Sequence, residues 1–459
     1  MAGIGFELRK ILKEDSLISI FKVYGYSAVL SAGSWIISIL SIIVIGIVNI
    51  KLTNNYKTII QFQVVITYLV AFSLIYSGFF QLSFTRYISD KLFEKDYYRI
   101  LPNYLGVLSI TIVLGLIFTV TLSVYLFPEV SNLFRVTFVS SFIVLSCIWI
   151  SNSLLLGLKE YKKITFYFFL GYLIILILSI FTREIGLEGY IASFFIGNSF
   201  IFFAMFSLIL KNYKSNRFLE FDFITNKKHI FYWSIAFSGL FYNLAIWADK
   251  FVFWFNKETS NNVIGLLRAS VLYDLPIFLA YLSIIPGTAI FFYRLEADFA
   301  EKYDILFDAI RTDGTYEQII KYKDEINEVI KMAIKETIIV QGIFNILLYI
   351  FSDKIFGFLN LPITYTPLFF IDLVAVQLQL CLMVVLSILY YMNRRKESLW
   401  VTIIFLLTNI ILSQLSIKMG FMYYGYGFGL SSLISFTFSL ILLKRSIDEL
   451  EYETYCLIN

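Results

Sequence analysis

Apolar runs long enough to cross a bilayer recur along almost the whole chain. A helix needs about 20 apolar residues to span a hydrocarbon core of about 30 Å. Six runs reach that length with few charges: 23–48, 59–80, 104–127, 134–156, 368–392 and 422–443. Six more complete the set: 164–181, 190–210, 230–255, 269–292, 332–351 and 399–417. The pattern predicts an all-α integral membrane protein of about twelve transmembrane helices.

Composition and charge support this class and suggest an orientation. The chain has 459 residues, of which 59% are hydrophobic and only 15% charged, whereas soluble domains carry about 25% charged residues. Most of the 37 Lys and Arg residues fall in alternate loops. Basic loops stay on the cytoplasmic side, so we expect a multi-pass protein of the inner membrane with both termini in the cytoplasm.

The spacing of the spans divides the chain into two halves. Residues 23–210 and 229–443 each hold six predicted spans, and the polar segment 211–228 links them. The charged, amphipathic residues 1–22 predict a helix lying on the lipid bilayer, and residues 444–459 form a cytoplasmic tail. Two bundles with the same orientation favour a substrate path between them.

One insertion in the second half is unusually acidic. Residues 296–336 carry eleven acidic and six basic residues in a chain whose net charge is +4. Apolar residues at helical spacing predict a helical hairpin. It is either a solvated extension of two long helices or a docking surface for a partner, with these candidate residues: Glu296, Asp298, Phe299, Tyr303 and Phe307.

Ionisable residues inside the spans are concentrated on the seventh and eighth spans. Asp249 and Lys250 lie in the seventh span and Asp274 in the eighth. Burying such a group costs roughly 2.5 to 3.5 kcal/mol on insertion scales. Neighbouring residues point about 100° apart on a helix, so we expect Lys250 to reach Asp274 rather than Asp249. The cluster is either a structural ion pair or the polar lining of a substrate path.

Aromatic residues accompany these charges. Trp247, Lys250 and Trp254 are spaced at i, i+3 and i+7, which predicts one helix face with a cation between two indoles. Such a face suits a sugar ring or the outer aromatic belt of a membrane protein. Tyr273, next to Asp274, completes the substrate-path candidates.

The eighth span contains helix-breaking residues. Pro276, Pro286 and Gly287 lie inside its apolar run, and a proline inside a membrane helix releases a backbone carbonyl and permits bending. These residues form either a gate or a static kink.

Residue patterns for soluble enzyme chemistry are absent from the sequence. It has no GxxxxGK[ST] loop and no HExxH motif, and it has a single histidine. The three dispersed cysteines indicate neither a disulfide framework nor a metal site. We therefore expect a protein that is not an enzyme, with no catalytic residues, no cofactor or metal, and no nucleic-acid partner.

Four segments resemble one known family. MAGIGFELRKIL at the start, WADKFVFWF (247–255), LYDLPIFLAYLSIIPG (272–287) and EADFAEKYD (296–304) are similar to PelG, the Pel exopolysaccharide transport family of the polysaccharide-flippase and MATE-like superfamily. The resemblance implies two six-helix bundles that export a cationic, N-acetylgalactosamine-rich polysaccharide for the biofilm matrix. Its implied partners are the cytoplasmic glycosyltransferase PelF and the membrane proteins PelD and PelE.

Two other functions fit the same sequence. One is a flippase or MATE-like antiporter for lipid-linked oligosaccharides or drugs. The other is a non-transporting scaffold that anchors a polysaccharide synthase through residues 296–336. The sequence does not distinguish transport driven by protons, by sodium ions or by polymerisation of the cargo.

Overall fold

The computed structural model describes residues 17–53, 55–158, 160–225, 232–312, 314–359 and 361–450. Those ranges are almost entirely helical, as expected where the bilayer offers no hydrogen-bond partner to the backbone. The helices are α1 (Leu17–Thr53), α2 (Tyr56–Phe93), α3 (Ile100–Leu126), α4 (Asn132–Gly157), α5 (Tyr161–Phe181), α6 (Leu187–Asn212), α7 (Asp222–Thr225), α8 (Trp233–Phe255), α9 (Val271–Leu282), α10 (Ile285–Tyr293), α11 (Ala300–Arg311), α12 (Tyr316–Phe358), α13 (Thr366–Tyr391), α14 (Arg395–Met419) and α15 (Tyr426–Asp448). Two short strands, β1 (Asn261–Ile264) and β2 (Leu267–Ala269), lie between α8 and α9.

The helices confirm an all-α membrane protein. Within the described ranges, nine helical segments are long and apolar enough to cross a membrane, and the bent pair α9 and α10 makes a tenth. A helix overlaps each of the twelve predicted segments. α1 and α8 are not among the ten, so the count of twelve and the side on which the termini lie remain predictions.

Both predicted terminal segments lie partly outside the described residues, as does the end of the predicted linker 211–228. The amphipathic helix predicted for 1–22 falls mostly in 1–16, and the tail predicted for 444–459 continues into 451–459. α15 extends through the beginning of that tail to Asp448.

The backbone groups into two compact units. Among the described residues, the first unit comprises those within 34–247 and 253–270, and the second comprises those within 17–33, 248–252 and 271–450. Five residues of α8 therefore belong with the second unit, while the rest of that helix belongs with the first.

In the first unit, small residues allow close helix packing. A Cβ on Gly197 of α6 would lie 2.7 Å from the carbonyl oxygen of Gly171 on α5, and one on Gly171 would lie 3.0 Å from the Gly197 carbonyl. Helices approach this closely in membranes where small residues leave room for the backbones. The two glycines therefore fix α5 against α6.

The polar linker after α6 is docked on the first unit. The Arg99 guanidinium lies 2.8 Å from the Asp222 carboxylate, and the Glu220 amide donates to the Pro102 carbonyl at 3.2 Å. The Phe223 amide donates to Asn103 Oδ1 at 3.3 Å. Residues 220–223 thus follow the start of α3 instead of forming a free tether.

The β-hairpin between α8 and α9 is a feature that the hydrophobic pattern did not predict. Its turn residue Gly265 has φ +54°, and the Leu266 amide donates to the Leu126 carbonyl at 2.9 Å. A side chain on Gly265 would meet that carbonyl at 2.2 Å. The Tyr68 hydroxyl also donates to the Arg268 carbonyl at 2.8 Å, so the hairpin is held on α2 and on the last residue of α3.

In the second unit, α13 is the central helix. It contacts α9, α10, α12, α14 and α15. The acidic segment 296–336 contains a π-helical turn (Arg294–Phe299), α11 and the first part of α12. Lys302 of α11 lies 2.7 Å from Glu325 of α12, and this contact lowers the pKa of Glu325.

Gly106 on α3 provides a test of the docked linker. A Cβ at this position would lie 2.1 Å from the Glu220 carbonyl oxygen, whereas one at Gly157 of α4 would meet nothing within 4 Å. Helix propensity favours alanine over glycine by about 1 kcal/mol inside a helix, as at Gly106, and the preference is smaller at Gly157, the last residue of α4. We expect Gly106→Ala to lower the melting temperature of the purified protein and Gly157→Ala to keep or raise it. Equal changes in melting temperature for the two variants would contradict the docking of the linker against α3.

Candidate functional site

Asp249 and Lys250 form a buried ion pair in the second unit. Asp249 is 0% and Lys250 only 6% exposed, and Lys250 Nζ lies 3.0 Å from Asp249 Oδ2 and 3.3 Å from Oδ1. The expectation that these neighbours do not pair is wrong. Their Cα–Cβ bonds diverge, but the four methylene groups of Lys250 let its ammonium curl back to the carboxylate.

Two further helices hold the Asp249 carboxylate. The Tyr273 hydroxyl of α9 donates to Oδ2 at 2.7 Å, and Asn409 Nδ2 of α14 lies 3.4 Å from Oδ1. The Ser413 hydroxyl in turn donates to Asn409 Oδ1 at 3.0 Å. Tyr273 was a sequence candidate, whereas Asn409 was not, because a single amide in an apolar run does not by itself indicate a site.

The ammonium of Lys250 also lies over two aromatic rings. Its Nζ is 4.9 Å from the ring centroid of Tyr281 and 5.1 Å from that of Phe428, within the range of a cation–π contact. This geometry satisfies the buried cation with one carboxylate and two aromatic rings.

The two indoles of the predicted Trp–Lys–Trp face contact each other. In the first unit, the Trp247 and Trp254 rings lie 6.1 Å apart, and Trp254 lies 4.6 Å from Tyr68. In the second unit, Lys250 lies over the rings of Tyr281 and Phe428. That a sugar ring binds to such a face remains a prediction.

Asp372 on α13 is a second buried carboxylate, and the sequence analysis missed it. It is 0% exposed, and among the described residues neither carboxylate oxygen has a hydrogen-bond partner. Asp249 and Lys250 are the charged groups that act on it electrostatically. The signal was present as a lone Asp in the run LFFIDLVAV.

Gly425 keeps space beside Asp372. This glycine precedes α15 with φ +84°, and a Cβ on it would lie 2.9 Å from Asp372 Oδ1. Its conformation and position therefore both favour glycine, and a side chain here would press on the carboxylate.

The charges of this cluster do not balance internally. When ionised, Asp249 and Asp372 carry two negative charges against the single positive charge of Lys250. A buried carboxylate is costly unless it is paired or neutralised. The site can therefore take up one further positive charge, either a proton or a cationic group.

The other sequence candidates on the eighth span occupy distinct positions. Asp274 is partly buried in the first turn of α9, and its predicted contact with Lys250 remains a prediction. Pro276 does not interrupt α9, which continues to Leu282. The break lies later, before Pro286 and Gly287, and the flanking segments differ in direction by 41°.

The docking candidates make contacts within the second unit. Phe299 is 1% exposed and packs edge-on against Tyr391 at 5.7 Å, so it is a packing residue. Asp298 pairs with Arg294, and Glu296 is hydrogen-bonded to Tyr391.

The remaining two docking candidates form an aromatic row on α11. Tyr303 stacks on Phe299 at 5.6 Å and contacts Phe307 at 4.6 Å. Both rings are partly buried. Several charged residues of the acidic segment remain exposed.

Comparison with known proteins identifies a family and a fold. The family model "PelG: Putative exopolysaccharide Exporter (EPS-E)" matches residues 1–455. No curated protein matches the chain.

The similar solved structures are transporters. One is an outward-facing multidrug resistance MATE family transporter of the MOP superfamily, with TM-score 0.65 and 11% identity, covering 94% of this chain and 96% of that one. Another is a MOP superfamily transporter from Pyrococcus furiosus, with TM-score 0.66 and 12% identity over the same shares. A MATE protein in a bent conformation matches equally well, with TM-score 0.66 and 12% identity. At these identities the likeness establishes the fold alone.

The Asp249–Lys250 pair can be tested by removing one or both charges. Lys250→Met keeps the length of the side chain but leaves a buried carboxylate without its ammonium, and breaking a buried pair costs about 3–5 kcal/mol. We expect a lower melting temperature for Lys250→Met and partial recovery in the double variant Asp249→Asn/Lys250→Met. Thermal unfolding of the solubilised protein measures the melting temperatures of these variants and of Asp249→Asn. If the stability losses of the two single variants simply add in the double variant, the two residues do not interact and the ion pair is contradicted.

Proposed function

Because the chain belongs to the PelG family of exopolysaccharide exporters, we propose that it exports a Pel-type polysaccharide across the cytoplasmic membrane. The cargo is a cationic polymer rich in partly deacetylated N-acetylgalactosamine, destined for the biofilm matrix. The membrane-spanning helices and the MATE-like fold support a transporter. The distribution of basic loops supports an inner-membrane location with cytoplasmic termini.

The observation that carries the proposal is the excess negative charge of the buried cluster. Asp372 has no hydrogen-bond partner among the described residues and feels the charges of Asp249 and Lys250. A deacetylated amino sugar carries an ammonium group, which supplies the missing positive charge. Asp372 would bind this ammonium when its surroundings open, and the Asp249–Lys250 pair would hold the cavity wall in place.

The family also suggests partners. A cytoplasmic glycosyltransferase, PelF, would deliver the polymer, and PelD and PelE would complete the membrane complex. In this arrangement the acidic segment faces the cytoplasm, and its exposed acids favour a basic partner surface. The exposed acids that are open to such a partner include Asp304, Asp308, Asp324 and Glu328.

A secretion assay tests the exporter and its site separately. In a polymer-producing strain that lacks this gene, we expect secreted polymer to disappear and to return when the wild-type gene is supplied. Asp372→Asn removes the charge but keeps the shape, so we expect secretion at least about tenfold lower at matched membrane levels, as for about 1.4 kcal/mol or more of lost interaction. Asp353→Asn, which changes an exposed acid on α12, is the control and should secrete normally.

The outcomes of this assay distinguish the claim of polymer export from the claim that Asp372 binds the cargo. Normal secretion without the gene would reject polymer export, whereas normal secretion by Asp372→Asn would reject only the proposed role of that carboxylate. Polymer retained inside the cells of the Asp372→Asn strain supports a transport defect. A strain that makes no polymer at all would point to a scaffold for synthesis.

A further inference from the structure

The eighth span is broken between α9 and α10. α9 ends at Leu282 and α10 begins at Ile285, with a 41° change of direction. Pro286 lies at the start of α10, where it has no backbone N–H and its ring excludes the carbonyl four residues earlier. A break of this kind inside a membrane leaves backbone groups that need other partners.

The side-chain amide of Gln341, on α12, supplies those partners. The Gly287 amide donates to Gln341 Oε1 at 3.2 Å, and Gln341 Nε2 donates to the Ser283 carbonyl at 3.0 Å. Ser283 and Gly287 are four residues apart, so their two groups are the acceptor and donor of one ordinary helical hydrogen bond. Gln341 is inserted into that bond.

The insertion is closely fitted and excluded from solvent. Gln341 is 0% and Ser283 3% exposed. A Cβ on Gly287 would lie 2.8 Å from Gln341 Oε1 and 2.5 Å from Leu380, so glycine is required for the amide to approach. All hydrogen-bonding groups of the Gln341 amide are used, because its second N–H donates to Asn345 Oδ1 at 2.8 Å.

A chain of amides continues from Gln341 toward the charged cluster. Asn345 Nδ2 donates to the Leu373 carbonyl at 3.2 Å and to Gln377 Oε1 at 2.9 Å. Leu373 is the neighbour of Asp372 on α13. The amide inserted in the broken span is therefore linked, through one side chain, to the backbone that carries the unpartnered carboxylate.

We propose that the eighth span contains a two-state hinge and that the Gln341 side chain holds this hinge in its bent state. With the amide inserted, the span is bent and both backbone groups are bonded to Gln341. With the amide withdrawn, the Gly287 N–H bonds directly to the Ser283 carbonyl and the bend decreases. Neither state leaves these two groups unsatisfied, so the conversion avoids the cost of a buried, unpaired backbone group.

Movement of this hinge acts on the charged cluster. α9 carries Tyr273, which donates to Asp249, and Tyr281, whose ring lies under the Lys250 ammonium. A change of the bend moves both aromatic residues relative to α8. Gln341 is thus a positioning residue for the cluster rather than a binding residue.

A distance measurement tests the hinge. Spin labels on the exposed Val271 and Asp304, in a background without the three native cysteines, report on both arms of the bent span. Gln341→Leu fills the space without hydrogen bonds, so the hinge predicts a shift to the less bent state. The distance should lengthen, by about 3 Å for full straightening at 1.5 Å per residue.

Amide hydrogen exchange separates the hinge from a static kink. In the two-state hinge, Gly287 stays protected in Gln341→Leu because its N–H bonds to Ser283. In a static kink, the distance is unchanged and exchange at Gly287 accelerates, because the amide has lost its partner. That second result would overturn the proposal.

Two further variants keep the test decisive. Pro286→Ala restores a backbone N–H and removes the ring, so it should lengthen the same distance even if Gln341→Leu fails to fold. An unchanged distance in Pro286→Ala would also reject the hinge. Thr337→Val is the matched control, because Thr337 is fully buried one turn away and, among the described residues, its hydroxyl donates to the Ala333 carbonyl of its own helix alone. It should leave both readouts unchanged.

Discussion

Every polar group that these helices withdraw from water must find its partner inside the protein. Hydrocarbon offers no hydrogen bonds, so an unsatisfied group costs several kcal/mol. This constraint explains why a glutamine side chain sits in the broken span at Ser283 and Gly287. It also explains why Asp249 is held by a lysine, a tyrosine and an asparagine from separate helices.

Asp372 is the carboxylate that departs from that rule among the described residues of the second unit. Its carboxylate is fully buried on the central helix α13, and among the described residues it has no hydrogen-bond partner. A group of this kind destabilises the fold unless a mobile species satisfies it, and intramembrane ionisable residues accordingly mark transport pathways. Under the proposed function its unbalanced charge acts in transport, whereas the balanced charge of the Asp249–Lys250 pair can belong to structure.

The spans were predictable from the sequence because a single physical rule, apolar length, determines them. The side-chain contacts were not, because they depend on which helices become neighbours. The sequence analysis did not expect Lys250 to pair with its neighbour Asp249, yet its ammonium reaches that carboxylate as well as the rings of Tyr281 and Phe428. Gln341 looks ordinary in the sequence, since only the approach of α12 to the break at Gly287 gives its amide a role. The β-hairpin escaped prediction because its strands are only four and three residues long.

The two units differ in the chemistry of their interiors. Among the described residues of the first unit, the one buried charged side chain is Lys91, near the end of α2, and it pairs with Glu94. The second unit buries Asp249, Lys250 and Asp372 within its helices. Only a differential interaction shifts a conformational equilibrium, so a proton or a cationic cargo acts through ionisable groups whose surroundings change. Among the described residues, the second unit offers such groups in Asp249 and Asp372, and Gln341 and Asn345 link the broken span to the Leu373 carbonyl beside Asp372.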